Sequence, residues 1–149
     1  MSTLKRGFFV PRLMSFARPD SPSTGLGSAG RVTEGLAAIE EAIERSERTE
    51  ERWSMAELLR VKGELLLLQG APNAAAAAEE QFLAALDWAR RQELLSWELR
   101  GATSLARLWH RQRRTSQARK LLASVHGRFS EGFGTADLTT AKRLLEAFR

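Results

Sequence analysis

The most explicit chemical motif in the chain is Gly25-Leu26-Gly27-Ser28-Ala29-Gly30. It matches the G-x-G-x-x-G fingerprint, in which a glycine turn aims a helix N-terminus at a pyrophosphate. That chemistry needs a buried strand immediately before the turn. Here the preceding residues are Arg18-Pro19-Asp20-Ser21-Pro22, whose prolines do not fit a central strand, and no βαβ pattern follows. The glycines are therefore read as a flexible linker. The acid pairs Glu40/Glu41 and Glu79/Glu80 could suggest acid–base work or a metal, but neighbouring positions on a helix do not face each other. His110 and His126 have no carboxylate at convergent spacing, and the sequence contains no cysteine. Thiolate nucleophiles, thiolate metal sites and disulfides are thereby excluded. No catalytic, cofactor-binding or metal-binding residue is expected.

The pattern with functional weight is electrostatic. From Leu99 to Ser130 there are eight basic residues and no acidic one. Arg100, Arg107, Arg111 and Arg114 recur at spacings of seven, four and three, which places them on one face of a helix. Leu99, Ala102, Leu105, Ala106 and Trp109 occupy the opposite face. A solvated surface is the plain account of such a run. The functional account is a docking strip for an acidic protein segment, because guanidinium pairs bidentately with carboxylate. Between Glu34 and Glu57 eight glutamates accompany three arginines, so the chain has an acidic end and a basic end. The net charge of +5 arises mostly before residue 32, where Lys5, Arg6, Arg12, Arg18 and Arg31 outnumber Asp20. The remainder is nearly neutral and carries no known nucleic-acid motif, so nucleic acid is the alternative partner rather than the leading one.

These side chains must be positioned by helices. Residues 1–32 hold Pro11, Pro19 and Pro22 and a Ser/Gly cluster, which predicts a disordered basic leader. Thereafter Leu36, Ile39 and Ile43 recur at helical spacing, predicting a first helix from about Thr33 to Arg52. A second follows from Trp53 to Gln69, closed by Gly70 and Pro72. Asn73 is a suitable N-cap for a third, from Ala74 to Gln92. The fourth spans Ser96 to Arg113, the fifth runs from an N-cap at Thr115 to Phe129, and the last covers Ala136 to Phe148. The four tryptophans, Trp53, Trp88, Trp97 and Trp109, are expected to fill core between helices. The fold class is all-α, a stack of antiparallel helical hairpins over residues 33–149.

The hairpins repeat. A shift of 40 residues brings Leu59, Arg60, Leu65 and Leu68 onto Leu99, Arg100, Leu105 and Leu108. The same shift brings Ala78, Phe82, Ala85 and Ala89 onto Ala118, Leu122, Val125 and Phe129. The pattern resembles tetratricopeptide repeats: Leu59, Gly63 and Leu66 fit that family's first helix, and Ala78, Phe82 and Ala85 its second. The resemblance implies that Gly63 marks a close approach of two helices. The period is longer than the family's, the hairpin tyrosine is absent, and no proline closes either repeat. From Glu34 onward the chain also resembles the C-terminal repeat tail of large bacterial regulators that join nucleotide-cyclase and ATPase domains. The stretches that carry this are Ala56–Leu67, Ser96–Leu108 and Glu131–Leu138. It implies a fragment-like, non-catalytic signalling module, with a detached C-terminal fragment of such a regulator as an alternative, and transfers no active site.

The first helix looks like the second half of a hairpin without its first half. Leu36, Ile39 and Ile43 are therefore expected to be partly uncovered and to favour a homodimer through that helix. No apolar run approaches the roughly 18 residues needed to span a bilayer, so no membrane partner is expected. The absence of cysteine suits a reducing compartment, and a cytoplasmic location is the default. A nucleotide that bound the native state would raise its melting temperature by mass action. Millimolar ATP or NAD should leave the thermal melting curve unchanged; a reproducible upward shift would restore the glycine motif as a site.

Overall fold

A computed structural model describes residues 25–49, 54–132 and 134–149. Lys5, Arg6, Arg12, Arg18 and Trp53 lie outside the described residues. Six helices are present among those described: α1 (Gly25–Arg48), α2 (Met55–Gln69), α3 (Ala74–Arg91), α4 (Leu95–Arg111), α5 (Thr115–His126) and α6 (Ala136–Ala147). The fold is all-α, with no strand among the described residues. Hairpins α2–α3 and α4–α5 stack so that α2, α4 and α6 form one layer. α3 packs against both α2 and α4, α5 against both α4 and α6, and α1 against α2.

The first helix begins about eight residues before the position that its apolar stripe predicts. Gly25 to Val32, expected to belong to a flexible leader, are helical. Gly25, Gly27 and Gly30 each cost a helix about 1 kcal/mol relative to alanine, but they do not forbid it, and no proline occurs between Pro22 and Pro72. The Thr33 hydroxyl donates to the Ala29 carbonyl at 3.0 Å, continuous with that first segment. Helix ends elsewhere also differ from expectation. α4 stops at Arg111 because Arg113 adopts a left-handed conformation at φ 64°, and Arg114 N–H then donates to the Trp109 carbonyl at 2.8 Å. The end of α3 is built in the same way, with Glu93 at φ 56° and Leu94 N–H donating to the Ala89 carbonyl. Both are Schellman turns made without glycine. Gly70 is left-handed, as its place after α2 requires. Asn73 precedes α3 without a side-chain capping bond. Thr115 is the first residue of α5 rather than its cap, whereas Thr135 caps α6 by accepting from Leu138 N–H.

The core runs through the whole stack. Phe82, Leu86, Leu99, Leu105, Leu122 and Phe148 are all buried in one cluster spanning α3 to α6. Ile39 and Ala42 of α1 pack on Leu58, Val61 and Leu65 of α2. Ile39 is fully buried, against the expectation that it would be half-covered. One face of α2 suffices to cover it, so Ile39 is not available for self-association; Leu36 and Ile43 are half-buried at the edge of the same cluster. Trp88 and Trp109 are half-buried against core clusters, and Trp97 is half-buried as well. Two 40-residue steps take Leu59 and Gly63 of α2 to Thr139 and Arg143 of α6. α6 is therefore polar at positions where α2 packs on α3.

Gly63 marks the closest approach. A Cβ built there would lie 2.5 Å from Phe82 Cε1, and Phe82 is fully buried with no room to retreat. Gly63→Ala should destabilise the fold by about 1–3 kcal/mol, the usual cost of overpacking, despite alanine's better helix propensity. Gly30→Ala meets nothing within 4 Å and should instead stabilise by about 0.5–1 kcal/mol. Urea unfolding of the two variants checks both signs.

Candidate functional site

The layer formed by α2, α4 and α6 carries a polar cluster at its centre. One helical turn separates Glu57 from Arg60 and another separates Arg60 from Glu64, so all three project from one side of α2. Arg60 Nε and Nη2 donate to the two Glu57 carboxylate oxygens at 2.9 and 2.7 Å. Both residues are buried, with Glu57 2% and Arg60 8% exposed. From α4, Arg100 Nη1 reaches the same Glu57 carboxylate at 3.2 Å, and its Nε lies 3.8 Å from Asp137 of α6. Arg60 Nη1 donates to Ser104 Oγ at 3.3 Å, and Ser104 in turn donates to Glu64 at 2.7 Å. Burial acts to lower the Arg60 pKa, but the hydrogen bond and charge of Glu57, with Glu64 and Asp137 farther out, outweigh it. The guanidinium is held above its ordinary value and stays charged.

The 40-residue period explains the meeting. Arg60 and Glu64 occupy the same repeat positions as Arg100 and Ser104, and stacking sets equivalent positions side by side. A cavity of about 190 Å³ opens between the three helices, lined by Arg60, Arg100, Thr103, Ser104, Arg107, Asp137 and Thr140. The Thr103 hydroxyl is committed to the Leu99 carbonyl at 2.8 Å.

The expected arginine strip divides into three environments. Arg100 and Arg107 line the cavity. Arg111 is exposed one turn beyond, at the end of α4. Arg114 does not share that face, because α4 ends before it. Its Nη1 donates to Glu79 of α3 at 3.1 Å, its Nε to Gln117 at 2.8 Å, and its guanidinium stacks 4.7 Å over the Trp109 ring. Arg114 is therefore a structural residue of the α3–α5 junction. His110 pairs with Thr115 Oγ1 at 3.1 Å and stacks on Phe148. Among the described residues no group of three or more His, Asp or Glu side chains is placed to hold a metal ion, and no helix is long and apolar enough to cross a membrane. Arg60, Thr103, Ser104, Asp137 and Thr140 are site residues that pattern reading missed. The match of Arg60 with Arg100 in the repeat was the available clue.

A second buried carboxylate lies on α4. Glu98, 2% exposed, accepts from Arg90 Nε at 2.9 Å and from Arg128 Nη1 at 2.9 Å. Compared with protein-family models, curated proteins and solved structures, the chain matches none.

The two carboxylates should respond differently to removal. Glu57→Gln removes the bidentate counter-charge of the buried Arg60, leaving Glu64 at 3.7 Å, and should cost about 3 kcal/mol. Glu98→Leu leaves two arginines whose side chains are more than half exposed, and Leu58 and Leu138 occupy the equivalent positions. Its cost should stay below about 1 kcal/mol, because exposed arginines regain water. Equal destabilisation of the two variants by chemical denaturation would contradict this assignment.

Proposed function

We propose that this chain is a non-catalytic helical-repeat module of bacterial signalling or regulation, whose α2–α4–α6 layer docks an acidic segment of a partner protein. Arg107 carries the reading. It is exposed at the cavity and makes no ion pair with a described residue, while Arg60, Arg100 and Arg114 are each tied to carboxylates. The repeat does not call for an arginine at this position, since its counterparts are Leu67 and Ala147. Arg111 extends the positive surface by one turn. Glu57 and Glu98, the carboxylates buried deepest, are held by arginines, an arrangement that suits structure better than proton transfer. The resemblance to regulator repeat tails supports the same class of role.

The test is Arg107→Glu with Arg111→Glu, and Arg114 is left intact because it holds the α3–α5 junction. Circular dichroism and melting temperature should stay close to the parent, since both side chains are exposed. Binding of a labelled, end-blocked glutamate-rich peptide should fall at least about tenfold, as expected when facing charges are reversed. Tight binding of single- or double-stranded DNA, weakening steeply with salt, would move the reading to nucleic acid.

A further inference from the structure

The cavity has a specific origin in the repeat. Arg60 and Arg100 stand 40 residues apart, and the next step of the same length reaches Thr140 of α6. Threonine thus occupies the position of a third arginine. The three residues line one cavity. At about 190 Å³ it lies below the roughly 300–1,000 Å³ of small-molecule sites, and its size suits one inserted side chain. Arg60 and Arg100 are already engaged by Glu57, and the protons of Ser104 and Thr103 are committed to Glu64 and the Leu99 carbonyl. Arg107 has no ion-pair partner among the described residues, and Thr140 completes the wall beside it.

We infer that this cavity seats a single carboxylate side chain of the partner, held by the Arg107 guanidinium and the Thr140 hydroxyl. The inference rests on the docking reading above and specifies where one acidic residue enters. A planar guanidinium receives a carboxylate through two parallel hydrogen bonds, and a hydroxyl supplies one more. Asp137 on the wall and Glu57 and Glu64 behind it repel added negative charge. A monoanionic carboxylate is therefore preferred to a dianionic phosphoryl group, although phosphate is also an arginine ligand.

Thr140→Arg separates a seated side chain from general attraction. It extends the arginine pattern to a third position, adds positive charge and puts bulk on the cavity wall. The probes are end-blocked peptides containing glutamate, glutamine or phosphoserine at the same positions, titrated by fluorescence anisotropy on the full chain. With the carboxylate seated, Thr140→Arg should weaken the glutamate peptide about tenfold, and Arg107→Gln should do the same, matching the loss of a charged hydrogen-bonded contact. Arg111→Gln should change it about twofold or less, as a rim charge does. The melting temperature of Thr140→Arg should not fall, which keeps loss of binding distinct from loss of fold. A glutamate peptide that binds Thr140→Arg more tightly than the parent overturns the seat while leaving docking on the layer intact. So does a phosphoserine peptide that binds the parent better than the glutamate one. Failure of the glutamate peptide to bind the parent at all removes the docking reading and the seat together.

Discussion

A carboxylate withdrawn from water must be matched by positive charge and hydrogen bonds, and Glu57 meets that demand with arginines from two successive hairpins. Arg60 grips both of its oxygens from the same helix, and Arg100 reaches one of them from α4. Because a buried ion pair returns little net stability over a well-packed apolar core, its effect here is geometric. It ties α2 to α4 at one fixed point, and Arg100 also lies 3.8 Å from Asp137 of α6. A slip of either helix would leave a charge buried without its partner, so alternative stackings are penalised by several kcal/mol.

The energy of the stack comes from elsewhere. Phe82 fills the space above Gly63, and Leu65 approaches Gly35, so glycine lets large side chains bury fully at two helix crossings. Each such side chain removed from water contributes about 1.5–3 kcal/mol. Apolar contact of this kind is tolerant of direction, whereas the ionic cluster is not. On α4, Glu98 ties together Arg90 in the last turn of α3 and Arg128 after α5, again linking neighbouring hairpins through one buried acid.

The proposed docking role turns on which arginines already pair within the fold. Arg60, Arg100 and Arg114 each hold a carboxylate of the same chain, and their positive charge is largely balanced where they stand. Arg107 and Arg111 are surplus to that bookkeeping. A surface becomes a recognition surface when rigid, already satisfied groups frame a few unsatisfied ones, because little entropy is then lost when a partner arrives. The layer of α2, α4 and α6 offers that arrangement around a cavity with a buried, fixed floor.

Much of this architecture is legible without coordinates. Helical spacing of Leu36, Ile39 and Ile43, the stop at Gly70 and Pro72, and the 40-residue echo of α2–α3 in α4–α5 are local or periodic properties, dictated by the pitch of a helix and the freedom of glycine. Gly63 was readable as a close approach through the resemblance to tetratricopeptide repeats. Tertiary structure decided what periodicity cannot express. It turned the glycines before Thr33 into helix, where propensity alone is only a weak prior. It buried Ile39 completely, because α2 was wide enough to cover it. It took Arg114 off the expected strip, since the turn at Arg113 redirects the chain towards Glu79. Above all it brought Glu57, Arg60, Arg100, Asp137 and Thr140 together from three helices. The sequence by itself determined which faces of those helices could meet; only stacking determined which charges would be neutralised and which would remain. Neutralisation depends on distances of a few ångströms between residues about forty positions apart, and no local pattern encodes them.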